Sequence, residues 1–448
     1  MGLVKGLIEA CYPAIYPVNP KYSEVLGLKC YASILEIPEI VDHVIVSIPV
    51  DGALALLDDC ITKRVRSVHF FTAGFSESGI KERGNLENEL VKKARANGIR
   101  IIGPNSAGLF VPKSRIVSMQ GMPLEPGPVG FISQSGGNAQ ELPFHAKFRG
   151  INFSKVVSYG NALDLDESEL LEYFAHDSET KIIAGYIEGV KNGKRFRKAL
   201  EMVSNTNKPI ILYKGGITNT GLRATLGHTA SLTSSVSVFE AFCRQMNVIR
   251  ADNVQELIDL LVAFSFIPGE TRGKGIAVFG VGGSSTVLAS DEIEAEGLHM
   301  PQFSDKVQTE LKQVLLNDGS IFGNPIDAIN LIQPNAIATS MRIASNLPEV
   351  DLLIYHLGAH SVSRWGNGFY SSPEYLSELI GSFEYVQRET GKHVILTLYP
   401  APDLAGAKEF FAVQNAVVAA GFPVFHSFSQ CARAIGRMMN WKNKTMNI

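Results

Sequence analysis

The segment Val129-Gly130-Phe131-Ile132-Ser133-Gln134-Ser135-Gly136-Gly137-Asn138 sets the reading of the whole chain. Its short apolar run reads as a buried strand. The run passes at once into serine and glycine, and a helical pattern follows. Strand, small-residue loop and helix in that order belong to parallel α/β sheets. Such a loop aims free backbone N–H groups and the positive end of the helix at one spot, which suits a phosphate. Ser133 and Ser135 add hydroxyl donors, and Gly136 and Gly137 let the backbone approach closely. A tight strand-to-helix turn with a serine cap is the competing reading.

Working outward, the same rhythm recurs. Apolar runs at 43–49, 67–72 and 100–102 read as strands, with helical periodicity at 52–64 and 86–97. It restarts with strands at 182–187 and 209–213 and helices at 167–174 and 194–204, then again from 275–280 with strands near 352–355 and 393–398. Strand and helix alternating at this spacing predict parallel sheets throughout. Leu124-Glu-Pro-Gly-Pro128 and Pro268-Gly-Glu-Thr-Arg-Gly-Lys-Gly275 punctuate the pattern. They divide the chain into expected domains at 1–124, 125–268 and 274–448.

Composition narrows the class. A chain of 448 residues is long for one core, so about two to four domains are expected. Charged residues make up 19% and hydrophobic residues 45%, an ordinary globular balance. The net charge of −3 argues against binding to nucleic acid or to an anionic membrane surface. Cys11, Cys30, Cys60, Cys243 and Cys431 are dispersed without a CxxC pair, which fits reduced thiols and a cytoplasmic location. No apolar run approaches the roughly 20 residues that span a bilayer. Lys5 and Glu9 make the first ten residues a packed helix rather than a signal peptide. No metal site is read from the residue pattern.

Further loops carry candidate chemistry. In Gly227-His228-Thr229-Ala230-Ser231-Leu232 a histidine stands among small residues, with room on every side, ahead of an expected helix. Imidazole can attack phosphorus at neutral pH and then release the phosphoryl group; a satisfied turn histidine is the alternative. Glu188, in Tyr186-Ile187-Glu188-Gly189 at a strand end, either caps a helix or accepts from an imidazole N–H and fixes its tautomer. Gly103-Pro-Asn-Ser-Ala-Gly108 either opens a crevice at a strand's carboxyl end or is a structural turn. The acids and amide of Ser158-Tyr-Gly-Asn-Ala-Leu-Asp-Leu-Asp166 suit helix capping. Gly280-Val-Gly-Gly-Ser-Ser285 looks like a nucleotide loop, and Gly323-Asn-Pro-Ile-Asp327 like a turn. A NAD-dependent dehydrogenase would need GxGxxG with an acid about 20 residues on, and the amino-terminal sheet lacks it.

Together, Tyr16-Pro-Val-Asn-Pro-Lys21, Ala73-Gly-Phe75, Gly103-Pro-Asn105, Ser133-Gln-Ser-Gly136, Gly160-Asn161, Tyr186-Ile-Glu-Gly189, Gly227-His-Thr229 followed by 245–252, and Gly323-Asn-Pro-Ile-Asp327 resemble the alpha part of the nucleoside-diphosphate-forming acyl-CoA synthetases. That family includes succinyl-CoA synthetase and the ADP-forming acetyl-CoA synthetases. The resemblance implies a Rossmann-like CoA-binding domain followed by two flavodoxin-like CoA-ligase domains. It implies that His228 becomes phosphorylated, that Glu188 orients it, and that Ser133, Ser135, Gly136 and Gly137 hold the phosphate. Lys21, Pro49 and Asn105 fall in segments expected to line the CoA site. The implied reaction runs from acyl-CoA through an acyl phosphate and a phosphohistidine to a nucleoside triphosphate. Coenzyme A is then a substrate, while nucleotide and Mg are expected on an ATP-grasp beta subunit in a hetero-oligomer. Members of the family begin with a strand and glycine loop ahead of the first helix. Here Met1-Gly2 falls at the start of that helix, so the expectation is either that the sequence begins downstream of the real start or that its CoA grip is weakened. A non-catalytic CoA-binding or regulatory relative is the alternative function.

Overall fold

A computed structural model describes residues 2–229, 236–271, 273–315, 320–358, 366–401 and 403–445; the side chains of 226–229 and 284 also lie outside the description. The chain forms two units. One comprises Met1–Lys147 with Ile151–Leu257, the other Phe148–Gly150 with Ile258–Ile448.

The first unit starts with helix α1 (Gly2–Glu9) and a two-stranded antiparallel ribbon, β1 (Glu24–Val25) and β2 (Leu28–Lys29). A parallel three-stranded sheet follows in the order β3 (His43–Val46), β4 (Ser67–Phe70), β5 (Arg100–Ile102). Helix α2 (Ala53–Lys63) buries Ala53, Leu57 and Cys60, an i, i+4, i+7 stripe, and α3 (Lys81–Ala96) buries Glu87, Leu90 and Ala94. Ala53, Leu57, Cys60, Leu90 and Ala94 meet Val68, Phe70 and Ile101 in one apolar cluster.

The second sheet of this unit holds β6 (Leu109–Phe110), β7 (Pro126–Ser133), β8 (Phe153–Ser158), β9 (Ile182–Ile187), β10 (Ile210–Lys214) and β11 (Ile249–Ala251), in the order β11-β10-β9-β7-β8-β6. Helices α4 (Gly136–Lys147), α5 (Glu167–His176), α6 (Gly193–Ser204), α7 (Asn219–Thr229) and α8 (Val236–Gln245) belong to this unit, and α9 (Val254–Phe266) starts in it but from Ile258 belongs to the second. Strands β7 to β11, counted one to five, lie in the flavodoxin-like order 2-1-3-4-5. Strand β6 pairs antiparallel with β8, against the all-parallel expectation. It reaches the edge directly from the loop after β5, with no crossover helix to turn it parallel.

The second unit repeats the arrangement with parallel strands only. β12 (Ile276–Gly280), β13 (Ile326–Asp327), β14 (Leu352–Leu357), β15 (His393–Leu398) and β16 (Val424–Phe425) order as β13-β12-β14-β15-β16, again 2-1-3-4-5. Its helices are α10 (Gly283–Ala295), α11 (Asp305–Leu315), α12 (Pro334–Ser345), α13 (Pro373–Thr390), α14 (Leu404–Ala419) and α15 (Phe428–Thr445). Among the described residues, no helix is long and apolar enough to cross a membrane.

Three polar links seat the two sheets of the first unit on each other. The buried Asp164 carboxylate accepts from Arg95 Nε (2.6 Å), Arg100 Nε (2.8 Å) and the Ile101 N–H (2.9 Å). Burial pushes this carboxyl up, but the Arg100, Ile101 and Arg95 hydrogen bonds outweigh burial and hold it below its ordinary range. The Asn161 amide donates to Glu77 Oε2 (2.6 Å) and Glu87 Oε1 (3.0 Å). Ser158, at the end of β8, receives the Ala107 N–H on its hydroxyl at 3.0 Å and donates its own N–H to Gly108 O at 2.8 Å.

Candidate functional site

In a 2-1-3-4-5 sheet, ligands bind outside the carboxyl ends of strands one and three, where the chain reverses its winding. In the first unit these are the ends of β7 and β9. The first carries Ser133 and the loop into α4; the second carries Glu188.

Ser133 is wholly buried, and its hydroxyl donates to Ser135 O (2.7 Å) and accepts from the Ser135 N–H (3.2 Å). The Ser135 hydroxyl accepts from the Asn138 N–H at 3.3 Å. The serine cap is therefore formed. It leaves the N–H groups of Gly136 and Gly137, in the first turn of α4, without intrahelical acceptors. Neutral hydroxyl caps keep that helix end free of negative charge, so the loop suits an anion.

Glu188 is 3% exposed. The Tyr186 hydroxyl donates to its Oε1 at 3.2 Å. Burial, then the Glu188 charge, raises the Tyr186 phenol well above its usual range and keeps it a donor. The Glu188 backbone is held from both sides. Its N–H donates to Gln134 Oε1, which also receives the Gly189 N–H at 3.0 Å. Its carbonyl accepts from Lys214 Nζ at 2.6 Å, and the same ammonium donates to Gly215 O at 2.8 Å. Burial lowers the Lys214 pKa, and the Glu188 charge opposes the shift.

The loop after β5 meets this edge. The Tyr159 N–H donates to Ser133 O at 2.9 Å, and the Asn161 N–H to Pro104 O at 3.0 Å. A Cβ on Gly160 would stand 2.2 Å from Pro104 O, so only glycine permits this approach. The buried His69 ring touches Ser106 O through Nε2 at 2.9 Å, and a Cβ on Gly108 would lie 2.3 Å from that ring. Burial drives the His69 imidazole down to about 4, so it acts as a neutral strut for the loop. Asn105, at φ 53°, donates its N–H to Thr72 O (2.9 Å), and the Thr72 hydroxyl donates to Ile48 O (2.7 Å). Pro49, next along, caps a short turn, so Asn105 and Pro49 share the carboxyl edge of the first sheet. Lys21 is exposed in the turn before β1, where its N–H donates to Asn19 Oδ1 at 2.9 Å.

His228 falls in the last turn of α7, and the expected following helix is α8. Gly227 and Thr229 are weak helix formers, but the preceding Leu222-Arg-Ala-Thr-Leu226 run carries the helix through them. The His228 side chain lies outside the described residues, as does the backbone of 230–235. Helix α7 packs on the Ser76–Ser78 turn that follows Ala73-Gly-Phe75. Sequence reasoning missed Gln134 and Lys214 as parts of this site. Their partners are backbone groups distant in sequence, so no local signal marks either residue. Among the described residues no cluster of His, Cys, Asp and Glu is arranged to hold a metal ion.

Comparison with known proteins shows what the chain is similar to. Residues 5–112 match a CoA binding domain and residues 126–264 a succinyl-CoA ligase like flavodoxin domain. The chain is 36% identical over 351 residues to the alpha subunit of acetate–CoA ligase [ADP-forming] II of Pyrococcus furiosus, covering 78% of this chain and 76% of that one. It is 34% identical over 342 residues to acetate–CoA ligase [ADP-forming] I of Archaeoglobus fulgidus, covering 76% of this chain but only 49% of that enzyme. The chain thus spans about half the length of the Archaeoglobus relative. A solved structure, the dinucleotide-forming acetyl-coenzyme A synthetase 1 of Candidatus Korarchaeum cryptofilum with phosphate and ADP, superposes with TM-score 0.81 at 28% identity, covering 99% of this chain and 92% of that chain. The chain belongs to the nucleoside-diphosphate-forming acyl-CoA synthetase family, with a CoA binding domain followed by a succinyl-CoA ligase like flavodoxin domain.

Proposed function

We propose that this chain is the CoA-ligase, alpha-type part of an NDP-forming acyl-CoA synthetase that works through phosphohistidine at His228. One observation carries the reading: the Ser133–Gly137 loop, Glu188 and the Gly103–Gly108 loop converge on one edge of the first unit. Inorganic phosphate attacks the thioester carbonyl and CoA leaves as thiolate, giving an acyl phosphate. The acyl phosphate then transfers its phosphoryl group to a His228 ring nitrogen and releases the carboxylate. Glu188 accepts the other ring N–H, which holds one tautomer and stabilises the imidazolium character that develops. The α4 amino end and the Ser133 and Ser135 hydroxyls offset the phosphoryl charge. Pro49 and Asn105, with Lys21, contribute to the CoA side.

The phosphohistidine hands its group to a nucleoside diphosphate, which with Mg belongs to an ATP-grasp beta subunit. The naming of the Pyrococcus relative as a subunit alpha supports a separate partner. Five free cysteines among the described residues accord with a cytoplasmic protein. The test is incubation with the ATP-grasp partner and γ-labelled nucleotide. Acid-labile, base-stable label on His228 is expected. A partner that phosphorylates another family member but leaves this chain unlabelled overturns the reading in favour of a non-catalytic CoA binder.

A further inference from the structure

We propose that Gln134 is a positioning residue that joins the anion loop and the Glu188 turn into one unit, so that filling the loop fixes the carboxylate. The inference rests on reading Ser133–Gly137 as the phosphate loop. Gln134 sits in the middle of that loop and is 2% exposed. Its backbone N–H donates to Tyr186 O at 3.1 Å. Its side-chain oxygen accepts from two successive N–H groups, those of Glu188 and Gly189. Both facing groups are donors, so the amide can be oriented only with its oxygen toward them. One loop residue therefore holds the 186–189 segment at three points.

Lys214 grips the opposite side of the same peptide through Glu188 O. Glu188 is thus pinned at both backbone polar atoms by buried side chains from the strands flanking β9. Its carboxylate projects from a fixed anchor, and that anchor moves only if the phosphate loop moves. An apolar side chain at 134 would fill the same space and leave two buried N–H groups without their acceptor. A glutamine here gives the two halves of the site one shared support.

The test uses the full chain, inorganic phosphate as probe, and amide hydrogen exchange in segments 133–138 and 186–191. It compares wild type, Gln134→Leu and Gln134→Glu. In wild type, phosphate at about ten times its dissociation constant should slow exchange about tenfold in both segments, with one midpoint. Gln134→Leu should keep a response at 133–138 and lose it at 186–191. Gln134→Glu retains both acceptor contacts, so the segments should again respond together, at higher phosphate because of the added charge. A purely structural role would change exchange without phosphate but would not uncouple the two responses. Joint response in Gln134→Leu, or a wild-type response confined to 133–138, overturns the proposal. A wild type silent at 133–138 sinks the phosphate-loop reading itself and the coupling with it, a result distinct from the other two.

Discussion

Two sheets of this chain share one strand order and differ in what stands at the carboxyl ends of equivalent strands. In the first unit, strand one ends in Ser133-Gln-Ser-Gly-Gly137 and strand three in Glu188. In the second, strand one ends in Gly280-Val-Gly-Gly283 and strand three carries His356. The first loop is capped by neutral hydroxyls. In the second, Asp327 from strand two takes the Gly282 N–H on Oδ1 at 2.6 Å, so a carboxylate already stands at the amino end of α10. His356 is buried, bonds Thr397 Oγ1 through Nδ1 at 3.0 Å, and packs on Tyr399 and Phe428. The same topology thus builds a loop capped by neutral hydroxyls once and a loop occupied by a carboxylate the second time. Site chemistry follows the residues at the strand ends, not the strand order.

The sharpest test of this contrast is at the proposed phosphoryl acceptor. His228→Asn should abolish the acid-labile label, whereas His356→Asn should leave it in place and lower only stability, read by thermal melting. Label lost from His356→Asn and kept in His228→Asn would reverse the contrast.

Next in size is a pH effect confined to the first unit. Burial, with the Asp166 charge adding, pushes the Glu167 carboxyl from 4.5 up to about 7, while the Lys191 N–H opposes it from 3.3 Å. Between those values the native state holds a proton that the unfolded chain has lost. Stability therefore falls as pH rises from about 4.5 to about 7 and is level above, a total of about 3 kcal/mol. Glu167→Gln should flatten this slope in melting curves taken across the window. An unchanged slope would remove Glu167 as its source.

Glu188→Gln should slow phosphorylation of the chain by about one to two orders of magnitude, as loss of an orienting partner does elsewhere. Wild-type rates would show that the carboxylate does not serve the histidine. The smallest expected effects separate the caps. Asp327→Ala removes a charged acceptor and should cost the second unit about 1.5–3 kcal/mol. Ser135→Ala removes a neutral cap and should cost the first unit about 1 kcal/mol. Amide exchange resolved by unit measures both, and equal losses would erase the distinction between charged and neutral capping.

The longer sheet strands were mostly legible as short apolar runs closed by a polar or glycine break, whereas β1, β2, β6, β8, β11, β13 and β16 were not read from the sequence. The 100–102, 182–187 and 393–398 runs coincide with β5, β9 and β15. Helices α2 and α6 were legible through their buried stripes. The Ser133–Gly137 loop and Glu188 were legible as small or charged residues at strand ends. Gln134 and Lys214 were not, because their partners are backbone groups 54 and 26 residues away. No local pattern records such contacts. Nor did periodicity show that Leu109–Phe110 crosses to the second sheet and runs antiparallel there.

The sequence by itself determined the α/β class, the family, and the residue types at each strand end, since these depend on local periodicity and on motifs within a few residues. Only the tertiary structure decided the order 2-1-3-4-5, which brings the ends of β7 and β9 side by side. It also decided that Asp327 fills the second loop while the first keeps hydroxyl caps. The reason is physical. Hydrogen bonds and charges act over a few ångströms of space, and folding alone chooses which distant residues come that close.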